Sequence, residues 1–85
     1  MTDDPRPLRI ENLRGMVTRS TYAKGTKSER EAVFIETEEG RYVLRRKGMP
    51  VFADAGLERY IGRVVACDGF LVGTTLLADR IRSTT

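Results

Sequence analysis

From Leu13 to Arg82 the chain consists of short runs of β-branched and aliphatic residues, and glycines separate many of these runs. Short apolar runs with turn residues between them are typical of the strands of an all-β barrel or sandwich. Because the chain has only 85 residues, it has room for one domain. We therefore expect a single all-β domain over residues 12–83, preceded by a flexible polar tail over residues 1–11 that two prolines interrupt.

The clearest strand signal is the segment EAVFIETEEGRYVLRRK, residues 31–47. Two β-rich runs flank Glu39-Gly40, and a glycine at that place supplies the positive φ that a tight hairpin turn needs. Side chains of a strand point to alternate faces, so this turn makes Ile35 face Leu44 on one side of the sheet and Phe34 face Arg45 on the other. We expect the more apolar first side to face the interior, which exposes Phe34 to solvent. A slip of one residue would exchange the two sides.

The remaining strands are predicted from weaker patterns. A first strand spans about residues 13–21, and a polar loop over residues 23–31 leads to the hairpin. A second hairpin fits residues 63–71 and 75–82, with glycine in the turn between them. The expected total is therefore five strands.

A short helix is expected between the third and fourth strands, over residues 54–61. Asp54 can cap its start, Leu57 and Ile61 share one face at a spacing of four residues, and Gly62 can end it. This order is that of an OB-type fold, a five-stranded Greek-key barrel with such a helix. An SH3-like barrel is the alternative architecture, and it lacks the helix.

Three stretches of the sequence resemble OB-fold domains of the anticodon-binding type: GMVTRS (15–20), AVFIETEEGRYVLRR (32–46) and LERYIGRVVACDGFLVGTTLLADRI (57–81). The resemblance lies in the order strand, apolar hairpin with a glycine turn, and a glycine-basic-valine start to the fourth strand. It implies a nucleic-acid-binding module. The pattern LxxxxGRxVxxxG also resembles short bacterial proteins of unassigned function.

The residue types that are missing exclude several classes of function. The chain has no histidine, which is the commonest general base and the commonest metal ligand. Cys67 is the only cysteine, so it has no partner for an internal disulfide or a zinc site, and we expect it to fill space within a strand. No apolar run is long enough to span a bilayer, and the first ten residues lack the apolar region of a signal peptide. We expect a cytoplasmic protein that is not an enzyme and that binds no cofactor, metal or membrane.

The leading candidate site combines an aromatic ring with nearby cations. OB domains bind single strands across their second and third strands and between loops, where aromatic rings stack on bases and cations follow the phosphates. In the family that the chain resembles, an aromatic residue on the second strand stacks on a base, and Phe34 occupies the similar position. The expected contacts for single-stranded RNA or DNA are Phe34, Arg45, Arg41, Lys47, Arg19, Lys24 and Lys27.

Two features argue against a strong nucleic-acid binder. Glu36, Glu38 and Glu39 lie in the same hairpin and repel phosphate, and the net charge is only +3. The alternative function is a protein–protein interaction or assembly module in which Phe34 is buried against a partner. The sequence sets neither the ligand nor the oligomeric state.

Overall fold

The computed structural model describes residues 7–22, 25, 30–49 and 55–84, and these form five strands and one short helix. The fold is therefore all-β, as the sequence predicts. In chain order the elements are β1 Leu8–Tyr22, β2 Arg30–Thr37, β3 Gly40–Arg46, α1 Ala55–Glu58, β4 Val64–Val72 and β5 Thr75–Ser83.

The five strands form one sheet that closes into a ring in the order β1-β2-β3-β5-β4. Neighbouring strands run antiparallel, except that β3 and β5 run parallel. The ring closes because the 15-residue β1 pairs with β4 through its first part and with β2 through its second part. One long strand thus joins the two hairpins of the sequence.

Gly15 lies close to β2 at the point where β1 passes from pairing with β4 to pairing with β2. A side chain at this position would begin only 2.5 Å from the carbonyl oxygen of Glu36, on the neighbouring strand. Only glycine permits such a close approach of two backbones.

The structure starts β1 at Leu8, five residues before the predicted start at residue 13. Residues 8–11 therefore belong to the sheet, and the predicted tail over residues 1–11 is wrong for this part. Leu8 and Ile10 pair with Leu71 and Gly69 of β4. These pairings join segments about 60 residues apart in sequence, so the local polar composition gave no sign of them.

The register of the β2–β3 hairpin differs from the predicted one by two residues. Thr37 pairs with Gly40, so that Glu38 and Glu39 form the turn and Phe34 pairs with Val43 instead of Arg45. The Thr37 hydroxyl donates to the Gly40 carbonyl at 2.8 Å and accepts from the Glu39 N–H at 3.1 Å, which closes this turn. A shift of two residues keeps every side chain on its predicted face.

The interior of the ring is packed with apolar side chains, as the alternation in the hairpin predicts. Ile35 and Leu44 are both fully buried there. We call the following residues the inner core: Val17, Ile35, Leu44, Leu57, Val65, Cys67, Leu76 and Ala78. Burial in this apolar space raises the pKa of the Cys67 thiol to about 12.

Helix α1 covers one end of the ring and is shorter than predicted. Leu57 is buried in the inner core and Ile61 packs against it, as their shared face predicts. Gly62, at φ 84°, follows the turn after α1, and its N–H donates to the Val17 carbonyl at 2.7 Å. The helix therefore ends against β1. The predicted cap, Asp54, lies outside the described residues.

A bulge in β1 carries the main polar cluster on the outside of the ring. Asn12 has a positive φ of 56°, and the pairing with β4 shifts by one residue beside it. Its N–H donates to Asp68 at 2.8 Å, and Arg82 donates to the same carboxylate at 2.9 Å. These two hydrogen bonds, the one from Arg82 above all, lower the pKa of Asp68 to about 2.

Candidate functional site on the outer face

The outer face of the hairpin carries a second, smaller group of buried apolar side chains. Residues of β2 and β3 that point away from the inner core alternate with those that point into it. Ala32, Phe34 and Val43 are only 3–6% exposed and form a cluster separate from the inner core. We call these three residues the outer cluster. Strand β2 is thus buried on both of its faces.

Arg41 covers the phenyl ring of Phe34. Its guanidinium carbon lies 4.3 Å from the ring centroid, and its Nη1 donates to the Ser20 hydroxyl at 3.4 Å. The prediction that Phe34 presents a bare ring to solvent is therefore wrong, because its side chain is 5% exposed. The solvent-exposed residue is Arg41, whose guanidinium lies over the aromatic face.

Arg45 and Lys47 continue the row of cations that Arg41 begins. Alternation along β3 places Arg41 and Arg45 on the same face, and Lys47 follows in the exposed turn after the strand. The Nε of Arg45 donates to the Met49 carbonyl at 2.9 Å. At about 3.3 Å per residue the row is about 20 Å long.

The other predicted contacts are not part of this row. Arg19 pairs in register with Val33, whose side chain packs against the inner core, and the Arg19 guanidinium makes an ion pair with Glu58 of α1. It therefore lies at the end of the ring that α1 covers. Lys24 and Lys27 lie outside the described residues.

The acidic residues of the hairpin fall mainly at one end of the outer face. Glu36 pairs in register with Arg41 and accepts a hydrogen bond from the Thr18 hydroxyl at 2.9 Å. Glu38 and Glu39 form the exposed turn beyond it. The other end of β3, with Arg45 and Lys47, is the more basic one.

A second phenyl ring with an arginine over it was missed by the sequence reasoning. The Arg9 guanidinium carbon lies 5.1 Å from the centroid of Phe70 on β4, and the same guanidinium pairs with Asp79 at 2.8 Å. The alternation along β4 contained a usable signal, because Phe70 shares the face of the charged Asp68. Arg9 had been assigned to the tail, so its contact with Phe70 could not be foreseen.

Strand pairing connects this second ring to the first group of residues. Phe70 pairs with Leu77 of β5, and Leu77 pairs with Arg45 of β3. We use the name outer face for this continuous surface, which runs from Phe34 and Arg41 through Arg45 and Leu77 to Phe70. An arginine lies over each of its two aromatic rings, and Arg45 and Leu77 lie between them.

Neither a metal centre nor a membrane-spanning helix is found in the described parts of the chain. No three acidic or cysteine side chains there are close enough to hold a metal ion. No helix in the same residues combines the length and the apolar character that crossing a bilayer requires.

Comparison of the chain with protein-family models, with curated proteins and with solved structures found no match. A function has therefore to be inferred from the geometry of the outer face.

Proposed function

We propose that the chain is an OB-type Greek-key barrel whose outer face binds single-stranded RNA or DNA. The barrel type is supported by the strand order β1-β2-β3-β5-β4, by the parallel pairing of β3 with β5, and by the position of α1 between β3 and β4. An SH3-like barrel would have no helix at this place. OB barrels bind oligonucleotides on the face of their second and third strands.

The observation that carries the proposed function is the stacked pair of Arg41 and Phe34 beside Arg45. A guanidinium plane stacks on a nucleobase much as an aromatic ring does, and its N–H groups remain able to bind phosphate. Arg41 is exposed and its guanidinium already lies over an aromatic ring, so a base can stack on its solvent side without opening the outer cluster. The stacking surface is thus Arg41 supported by Phe34.

The row of cations then follows the phosphates of the strand. Arg41 and Arg45 lie on β3, Lys47 lies in the turn after it, and Arg9 lies over Phe70 at the far side of the outer face. If about four phosphates are neutralised, log K against log salt concentration has a slope near −3 for a single strand. Binding of this kind is weak, depends strongly on salt and shows little sequence preference.

The proposed role is binding without catalysis, in a reducing cytoplasm. A chain without histidine lacks the usual general base, and its one thiol is held in the protonated form by burial in the inner core. Assays with the purified chain can test the absence of catalysis, and assays with intact cells can test the cytoplasmic location.

Fluorescence anisotropy with a labelled oligo-U at low and moderate salt tests the proposal. We expect Arg41→Gln to weaken binding about tenfold, because one stacked base contributes about 1–3 kcal/mol. Arg45→Gln should weaken it by a similar factor. Arg14→Gln is the matched control, since Arg14 is an exposed arginine paired with Ala66 on the β1–β4 side of the ring. Melting temperatures of the three variants should be equal.

Absence of binding at low salt, or an equal loss in Arg14→Gln, would overturn the nucleic-acid proposal. If the chain is instead a protein–protein interaction or assembly module, we expect a dimer in size-exclusion chromatography. Arg41→Gln or Phe34→Ala would then convert the dimer to a monomer.

A further inference from the structure

A groove of about 560 Å³ lies on the surface between the end of β3, strand β5 and the turn after α1. It is separate from the stacked pair of Arg41 and Phe34, although it begins where the row of cations along β3 ends. We call it the β3–β5 groove. Its lining residues are Arg46, Lys47, Met49, Tyr60, Ala78, Asp79, Arg80 and Ile81.

Two local features of the backbone shape the groove. The register between β4 and β5 shifts beside Gly69, so that Asp68 pairs with Arg80 while Gly69 pairs with Ala78. Such a bulge redirects side chains. On the other side, the N–H of Lys47 donates to the Ala78 carbonyl at 2.9 Å and holds the turn after β3 next to β5.

The charge of the groove is positive. The side chains of Lys47 and Arg80 are exposed, and neither makes a hydrogen bond or ion pair within the described residues. The one carboxylate that lines the groove, Asp79, pairs with Arg9 at 2.8 Å. Lys47 and Arg80, together with Arg46, thus line a concave surface whose one carboxylate is already paired.

The walls of the groove are suited to an aromatic or ribose group. Tyr60 and Ile81 are partly buried and pack against the inner core, which gives a firm apolar floor. The Arg46 guanidinium lies against Gly56 of α1, so a side chain at position 56 would have to displace this flexible group. Low-dielectric walls around cations strengthen their attraction for an anion.

We propose that the β3–β5 groove binds a phosphate monoester of a nucleotide, with Lys47 and Arg80 on the phosphate and Tyr60 beside the nucleoside. A monoester carries a charge of about −1.5 to −2 at neutral pH, as a phosphorylated side chain does, whereas an internal phosphodiester carries only one charge. Two cations therefore favour the monoester. The source is either a free nucleotide or the terminal phosphate of a strand, and only the second rests on the proposed function of the outer face.

The first experiment is an amide NMR titration of the whole chain with uridine 5′-monophosphate, with uridine, and with inorganic phosphate. We expect the monophosphate to shift the amides of Lys47, Arg80 and Ile81, and uridine to leave them unchanged. Arg80→Gln and Lys47→Gln should each lower the affinity for the monophosphate about tenfold, because each variant loses one hydrogen bond to a charged group. Arg14→Gln, with the same change of charge outside the groove, should have no effect.

A second experiment distinguishes a free nucleotide from the terminal phosphate of a strand. It also tests the groove separately from the proposed function of the outer face. Anisotropy is measured for oligo-U with a 5′-phosphate and with a 5′-hydroxyl. A preference of at least about threefold for the phosphorylated strand, lost in Arg80→Gln, assigns the groove to strand ends. Equal binding of both strands together with monophosphate shifts at the groove assigns it to free nucleotides.

If strands bind but the monophosphate and inorganic phosphate leave the groove amides unchanged, the groove proposal is wrong and the proposed function of the outer face stands. If neither oligonucleotide binds but the monophosphate shifts the amides of Lys47 and Arg80, the groove proposal stands and the proposed function of the outer face is wrong. Equal shifts with uridine, or an equal loss in Arg14→Gln, would also overturn the groove proposal.

Discussion

Phe34 and Ile35 are neighbours on β2, and both are almost completely buried, yet they are buried in different ways. Ile35 lies in the inner core, surrounded by side chains from four other strands and from α1. Phe34 belongs to a cluster of three residues on the outside of the ring, and an exposed arginine lies over it. A low exposed fraction therefore does not by itself identify a core residue. What differs is whether the covering groups are buried side chains of the inner core or an exposed side chain at the surface.

The same contrast appears on β4, where Cys67 points inward and Asp68 points outward. Desolvation raises the pKa of Cys67 to about 12, while the hydrogen bonds from Arg82 and Asn12 lower the pKa of Asp68 to about 2. Consecutive residues thus have opposite shifts, because the sheet separates a dry interior from a hydrogen-bonded surface.

The largest effect is expected from truncation in the inner core. Leu44→Ala should lower the free energy of unfolding by about 2–5 kcal/mol, because it removes buried methyl groups and leaves a cavity that cannot fill with water. Urea denaturation measures this. Val43→Ala, one residue away on the outer face, is the control and should cost less. An equal loss in the two variants would mean that the outer cluster is a second core.

Phe34→Ala is expected to have a smaller effect on stability and a larger one on binding. Phe34→Ala should lower the free energy of unfolding by about 1.5–3 kcal/mol, the transfer free energy of a buried aromatic side chain. No large cavity contribution is added, because the outer cluster lies at the surface. Phe34→Leu should retain most of the stability but less of the oligo-U affinity, because it removes the ring that supports Arg41. Full retention of affinity in both variants would contradict the stacked arrangement.

Alkaline pH should weaken the fold through Cys67. The pKa of this thiol is raised in the folded state to about 12 from an ordinary value of 9.0, so its contribution to stability is complete below pH 9 and is lost as the pH rises toward 12. Urea denaturation between pH 8 and pH 11 measures the decline. Cys67→Ala should decline less steeply over this interval, and identical slopes would show that the thiol does not titrate as proposed.

Acidic pH should have the smallest effect, acting through Asp68. Its pKa is lowered in the folded state from 3.8 to about 2, so the carboxylate stabilises the fold above pH 4 and this contribution is lost as the pH falls toward 2. Thermal unfolding of the wild-type chain and of Asp68→Asn at pH 7 and pH 2.5 tests this. The difference between the two proteins should be smaller at pH 2.5 than at pH 7, and an unchanged difference would contradict this role of Asp68.

Local patterns predicted five strands, a short helix between the third and fourth strands, and the face of each residue of the first hairpin. Ile35 and Leu44 point inward as expected, because the alternation of faces along a strand depends only on the backbone geometry of neighbouring residues. The register was wrong by two residues. It depends on which residue closes the turn, and here the Thr37 hydroxyl does so through contacts that composition does not reveal.

The sequence by itself determined that the chain is all-β, that a helix separates two hairpins, and that Cys67 fills space within a strand. Only the tertiary structure decided that Arg41 covers Phe34, that residues 8–11 complete the ring, and that Arg9 meets Phe70. The physical reason is the range of the interactions. Alternation and turn preferences act between neighbours in the chain, whereas the cover of an outward side chain and the pairing of β1 with β4 depend on how distant strands meet when the ring closes.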